Sequence, residues 1–268
     1  MRSLRIVLTE IWQNLPIIRR IAAFNIRSRF ADNYLGSIWD YLEPMLYIGT
    51  YFIVFGLGMY HGSVGDTPYI IWLLTGIVPW YFIQGSFHKG LTSISSQLGL
   101  LTKTKFPISV APVMPILQEV RRFWVMGAIT VVVLFLFGEY PTITWIGIIY
   151  SLVAMFATAL AHNLINSTLS VMIPDYKQAV NALFRLLFFT SGVIINIDAK
   201  GLPFVLAQII MMFPFYYVIN SFRDALIYNV WFFQDISYTL FFWLLTFVML
   251  MVGSIVHLRF RESFIDML

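Results

Sequence analysis

The chain has 268 residues, is 59% hydrophobic and 11% charged, and carries 17 lysines and arginines against 13 acids. A soluble domain carries about 25% charged residues. A mean hydropathy of +0.80 and charge-free runs such as Pro44–Gly65, Thr67–His88 and Tyr140–Pro174 exclude that class, because about 20 apolar residues suffice to cross a bilayer.

The expected fold is all-α and polytopic. Six transmembrane helices are predicted at about 37–59, 69–88, 108–137, 144–173, 179–197 and 236–258. Residues 1–35 form a cytoplasmic N-terminal segment with an amphipathic interface helix, and 36–268 form the transmembrane domain. Met1–Arg29 mixes apolar and basic residues without the separate apolar stretch of a cleaved signal. Within it, Ile17, Ile18, Ile21, Ala22 and Phe24 recur at helical spacing, with Arg19, Arg20, Ala23 and Arg27 opposite and Pro16 at the start. Such a helix lies in the membrane interface as an anchor, passes force from a partner to the first span, or does both.

The first span opens with Asp32, Asp40 and Glu43. Gly36, Asp40, Glu43, Tyr47, Tyr51, Val54 and Gly58 follow steps of three and four, one helical face. Ile38, Met45, Leu46, Phe52 and Ile53 form an apolar face opposite. Carboxylates facing lipid are costly, so the polar stripe faces protein or water. It either pins helices through a salt bridge to Arg27, Arg29 or Arg121, or it meets substrate.

Between spans two and three, Ile94, Leu98 and Leu101 stand at i, i+4 and i+7, followed by Lys103, Lys105 and Pro107. This predicts a short helix with one apolar face. Span three holds Glu119, Arg121 and Arg122, so it begins in the cytoplasm or lines an aqueous vestibule. Asn163, Asn166 and Ser170 in span four read as helix glue. In span five, Asn181, Arg185, Phe188, Gly192 and Asn196 form a second polar and small face. The stretch 201–222 is long enough to cross but contains Pro203 and Pro214, and predicts a re-entrant or interfacial helix on the external side. With both termini cytoplasmic, fifteen of the 17 basic residues lie inside, and only Lys200 and Arg223 lie outside.

Ordered motifs add a resemblance. Leu35-Gly36, Trp39 and Pro44 fit L-G-x-x-W-x-x-x-x-P. Gly76, Pro79, Trp80 and Phe82 fit G-x-x-P-W-x-F. Gln97, Leu100, Leu101, Lys103, Phe106 and Pro107 follow in order, then Asp175, Ser191-Gly192-Val193, Pro214, Tyr217 and Arg223. Over nearly its whole length the chain resembles the ABC-2-type polysaccharide export permeases, most of all the teichoic acid translocation permeases. It departs from them at Phe213 (usually Asn), Pro174 (usually Arg) and Gly192 (usually Pro).

The resemblance implies a homodimer of six-span subunits in the bacterial cytoplasmic (inner) membrane, paired with two copies of a separate ATP-binding subunit. That partner holds ATP and Mg, and this chain holds no cofactor. The cargo it implies is a lipid-linked polymer, such as a teichoic acid, an O-antigen or a capsular polysaccharide, taken from the cytoplasmic leaflet. No nucleic acid is involved. The loop carrying Ile94, Leu98, Leu101, Lys103 and Lys105 becomes an ATPase-coupling helix, with an interfacial lipid anchor as the alternative.

The chain's chemistry agrees with these implications. It carries no G-x-x-x-x-G-K-[ST] phosphate loop, so energy comes from a partner or an ion gradient. Asp40, Glu43, Tyr47, Tyr51, Asn181, Arg185, Phe188 and Asn196 are the candidate channel, where aromatic faces meet sugar C–H groups. Arg27, Arg29, Arg121 and Arg122, joined by Arg185, are the candidate receptor for an anionic lipid headgroup. His61, His88, His162 and His257 are isolated in sequence, so no catalytic residue and no metal site is expected. The rivals are a secondary transporter, a polyprenyl-phosphate enzyme and an ABC-2 drug or lipid exporter.

Overall fold

The computed structural model describes residues 1–28, 34–59, 62–104, 107–197 and 203–264. Arg29, Asp32 and Lys105 lie outside the described residues. So do the side chains of Asp40, Leu98, Leu101 and Lys103, which are placed in backbone only. The helices follow as α1 (Arg2–Gln13), α2 (Leu15–Ser28), α3 (Trp39–Tyr51), α4 (Tyr69–Leu91), α5 (Ser93–Thr104), α6 (Met114–Leu136), α7 (Gly147–Met172), α8 (Tyr176–Thr190), α9 (Phe204–Met211), α10 (Pro214–Arg223) and α11 (Ile236–Phe260). A π-helical turn, Phe52–Leu57, prolongs α3. A small antiparallel hairpin then pairs Ser63 with Pro68 and Val64 with Thr67.

The protein is an all-α polytopic membrane protein. Among the described residues, α4, α11 and the stretch Ile143–Met172 are long and apolar enough to cross a bilayer. α6 has 23 residues, about 35 Å at 1.5 Å per residue, but it carries Glu119, Arg121 and Arg122. α4 is apolar over most of its length and largely enclosed by protein. It packs against α6, α7 and α10 and buries Tyr69, Trp80 and Phe82 in the main core.

Two expectations change and one gains detail. First, α8 ends at Thr190 rather than 197, which leaves Gly192 and Asn196 beyond the helix. Gly192 takes φ +77°, and a Cβ there would sit 2.9 Å from the Tyr216 ring. Proline, fixed near −65°, cannot adopt that turn. Second, the stretch expected to be re-entrant contains two helices bent by 81° around Phe213–Pro214, the geometry of a re-entrant loop or a broken span. Phe213 is extended and Pro214 starts α10, as the ring's clash with its predecessor requires.

Third, the N-terminal segment forms two helices. Leu4 and Val7 of α1 are buried, and Glu10 pairs with Arg261 at 3.2 Å. Ile18 and Ala22, on the apolar side of α2, are buried within the chain. Ile18 packs into a second core with Ile94, Val110, Met114 and Phe264. Phe24, which the periodicity put on that face, is 69% exposed.

Candidate functional site

α3, α4, α6 and α8 surround a cavity of about 540 Å³. α3 supplies Glu43, Tyr47 and Tyr51, one per turn on the stripe the sequence marks. α8 supplies Arg185 and Phe188, and α6 supplies Arg122. The remaining wall was missed: Tyr81, Gln84 and His88 of α4. They recur at steps of three and four, so the polar face of the second span was readable.

An aromatic wall runs through the cavity. The Tyr47 and Tyr51 rings stack at 6.4 Å, and Tyr51 meets Phe188 at 5.3 Å. Phe188 rests on Trp80 at 5.7 Å. Asn181 of α8 does not line the cavity; its Oδ1 lies 2.6 Å from Nδ1 of His88, which does. Arg185 Nε donates back to the Asn181 carbonyl at 3.4 Å.

Charge is set by Glu119, which is 1% exposed. Its carboxylate lies 2.5 Å from Lys89 Nζ and 3.5 Å from Arg122 Nη1. A buried carboxylate requires such partners. Gly85 makes room for it, since a Cβ there would meet Glu119 Cδ at 2.5 Å. Lys89 also lines a second cavity of about 480 Å³, with Asn25, Ser28, Gln97 and Gln118. The Lys89–Glu119–Arg122 chain therefore stands between the two cavities.

Other sequence-predicted residues lie elsewhere. Arg27 is exposed on the last turn of α2. Arg121 faces Tyr41, with its Cζ 5.7 Å from the ring centroid. Neither lines the cavity that holds Arg122 and Arg185. Asn196 follows the end of α8 and does not line it either. The helix expected between spans two and three exists as α5, but Ile94 is fully buried in this chain's own second core. Its apolar contact is thus intramolecular, because α2, α6 and the C-terminal Phe264 converge on it.

The polar residues of span four act as helix glue. Asn163 Nδ2 donates to Ser86 Oγ and to the Pro112 carbonyl, both at 3.0 Å. Tyr176 donates to Asn166, and Ser170 to the Leu91 carbonyl.

Away from the cavity, the buried Arg223 of α10 clamps the end of α8. It donates to the carbonyls of Gly192 (2.7 Å), Val193 (3.1 Å) and Trp72 (3.3 Å), and lies 3.7 Å from the Trp72 ring centroid. A Cβ at Gly76 would collide with this guanidinium.

Comparison with known proteins gives a consistent pattern. A family model described as ABC-2 type transporter matches residues 18–227. An O-antigen export system permease protein RfbA of Klebsiella pneumoniae is 27% identical over 240 residues, 89% of this chain and 91% of the relative. RfbA of Myxococcus xanthus is 25% identical over 187 residues, 69% and 70% of the two chains. The polysialic acid transport protein KpsM of Escherichia coli is 22% identical over 208 residues, 75% and 77%.

Proposed function

Because the chain belongs to the ABC-2 type transporter family, we propose that it is the permease subunit of a polysaccharide exporter, without ATPase activity of its own. The relatives named for O-antigen export and polysialic acid transport support this, since they align over most of their length. In the finer reading, the cargo is a lipid-linked polymer, a teichoic acid or similar. It passes from the cytoplasmic to the external leaflet of a bacterial inner membrane. Two copies of the chain, with cytoplasmic termini, work with a separate subunit that binds ATP and Mg. Residues 1–35 act as a cytoplasmic segment and 36–268 as the transmembrane domain.

The observation that carries this reading is the cavity itself. It sets tyrosine and phenylalanine faces on α3 and α8 beside Arg122 and Arg185. Ring faces suit the C–H surfaces of sugars, and tyrosine hydroxyls suit their hydroxyls. Arginine forks suit phosphate oxygens. A sliding polymer needs many such weak contacts. On this reading, the segment carrying Ile94, Leu98, Leu101, Lys103 and Lys105 couples the permease to the ATPase, with Ile94 rooting α5 in the permease.

Reconstitution with the candidate ATPase tests the proposal. Lipid-linked glycans are added one at a time, and ATP hydrolysis and glycan translocation are followed. Stimulation by one class of lipid-linked glycan is the expected result. Translocation by the isolated chain without ATPase would overturn the proposal in favour of a gradient-driven carrier.

A further inference from the structure

A third cavity, unrelated to the one above, lies between α4, α6 and α10. It has a volume of about 380 Å³, within the range of about 300–1,000 Å³ usual for small-ligand sites. On α6 its wall is Trp124, Gly127, Ala128 and Val131, spaced i, i+3, i+4 and i+7. That is one helix face, about 10 Å long at 1.5 Å per residue. The slot therefore runs along the helix axis, the direction in which lipid chains lie. Phe123 and Phe222 floor it, in edge contact at 5.8 Å.

Apart from the indole N–H of Trp124 at its rim, the slot's polar side chains are already paired. Its hydroxyls are Thr75 and Thr130. Thr75 donates to the carbonyls of Ile71 and Trp72 on its own helix, and Thr130 donates to Met126 at 2.9 Å. No lining residue is charged. The occupant is thus hydrocarbon, and its headgroup lies elsewhere.

Gly127 agrees with an open slot. Glycine inside a helix costs about 1 kcal/mol relative to alanine, so it needs a reason. At Gly76, Gly85 and Gly90 the reason is visible: a Cβ would strike Arg223, Glu119 or Asn163. At Gly127 a Cβ would meet nothing within 4 Å. The same holds at Gly49 and Gly99, so at Gly127 it shows only that the slot is open beside the helix. Trp124 at the rim is 60% exposed, so the slot opens outward from the helices.

We propose that this slot is a binding site for one acyl chain of a bilayer phospholipid, held between α4 and α6 with Gly127 at its base. The inference rests on the chain's place in a membrane and not on what it exports, so it can fail or succeed independently of the transport reading.

The test uses the full chain in nanodiscs containing phosphatidylethanolamine with a diazirine on the acyl chain. Crosslinked peptides are mapped by mass spectrometry. Labelling at Trp124–Val131 should exceed labelling at Leu240 and Leu244 of α11, which are 64% and 66% exposed. In Gly127→Leu it should fall to the α11 level, while Gly127→Ala retains it. If Gly127→Leu does not fold, Ala128→Leu fills the same slot from an exposed position. Uniform labelling of both surfaces overturns the proposal. So does slot labelling by a diazirine polyprenyl phosphate but not by the phospholipid, and so does a crosslink from the slot to a second copy of the chain.

Discussion

Replacing Arg223 with methionine keeps a side chain of similar reach and removes every donor. The guanidinium is 2% exposed and supplies hydrogen bonds to the carbonyls of Gly192, Val193 and Trp72. The Trp72 carbonyl keeps the Thr75 hydroxyl as a donor, so two buried acceptors are left unpaired; at about 1–3 kcal/mol each they give at least about 2 kcal/mol gross. Loss of the cation over the Trp72 ring adds up to about 2 kcal/mol. Relief of the buried charge returns part of this. The net expectation is a destabilisation of about 3 kcal/mol, a large share of a total of roughly 5–15 kcal/mol. The assay is denaturant titration of the purified chain in detergent micelles. Gly76→Ala provides the cross-check, because its Cβ would displace the same guanidinium. The double variant should then be less destabilised than the two single losses summed. A methionine variant within about 0.5 kcal/mol of the parent, or strict additivity with Gly76→Ala, would refute the clamp.

The remaining predictions concern the cavity and its surroundings. Glu119→Gln removes the anion shared by Lys89 and Arg122, both part-exposed, and should cost about 1–3 kcal/mol, read by the same titration; an unchanged midpoint would show that the chain of charges is not structural. Gly192→Pro should abolish accumulation of folded protein, because φ +77° is closed to proline, whereas Gly99→Ala, beside open space in α5, should accumulate normally. Arg185→Ala should lower glycan-stimulated ATP hydrolysis in the reconstituted complex more than Arg27→Ala does, since only Arg185 lines the cavity; equal losses would remove the geometric basis for the headgroup site.

How much was legible depended on whether a feature was local. α4, α7 and α11 could be read because each carries a long apolar run, and a run's length is a property of the sequence alone. The stripe on α3 could be read for the same reason: Glu43, Tyr47 and Tyr51 obey one helix period and now share one wall. α1 carried its own signal in Leu4, Val7 and Ile11, which step by three and four, and it was passed over in favour of the longer α2 pattern. Long-range facts were hidden. His88 looked isolated because its partner Asn181 lies 93 positions away. Ile94 showed an apolar face without showing who covers it, and the answer depends on Ile18, Met114 and Phe264 arriving from three other segments. The end of α8 is set by Tyr216 against Gly192, a contact that no window on span five contains.

Two of the cavity's four walls, α3 and α8, cross less completely than α4, and this follows from backbone chemistry. A helix in lipid satisfies its own peptide groups only along its helical length. α4, α11 and the stretch ending in α7 are long enough to meet that demand, so they serve as scaffold. α8 has 15 residues, about 22 Å at 1.5 Å each, short of a hydrocarbon core of about 30 Å. α3 reaches Leu57 only by way of a π-turn, a distortion found often at functional positions. Such short elements cannot stand alone in lipid, so their polar faces turn toward each other and toward α4, and that convergence is the cavity. Their outer faces, with Leu46 at 60% exposure, Ile53 at 63% and Leu186 at 67%, still need cover across their ends. Lipid can cover the side chains but not an unpaired backbone end. A second copy packed along α3 and α8 can cover both, which is the physical argument that favours the proposed homodimer over a lone subunit. Inter-protomer crosslinking at Leu46 and Leu186 in native membranes is the measurement that decides it: no crosslink at either position would leave the short helices without their proposed cover and would count against the dimer.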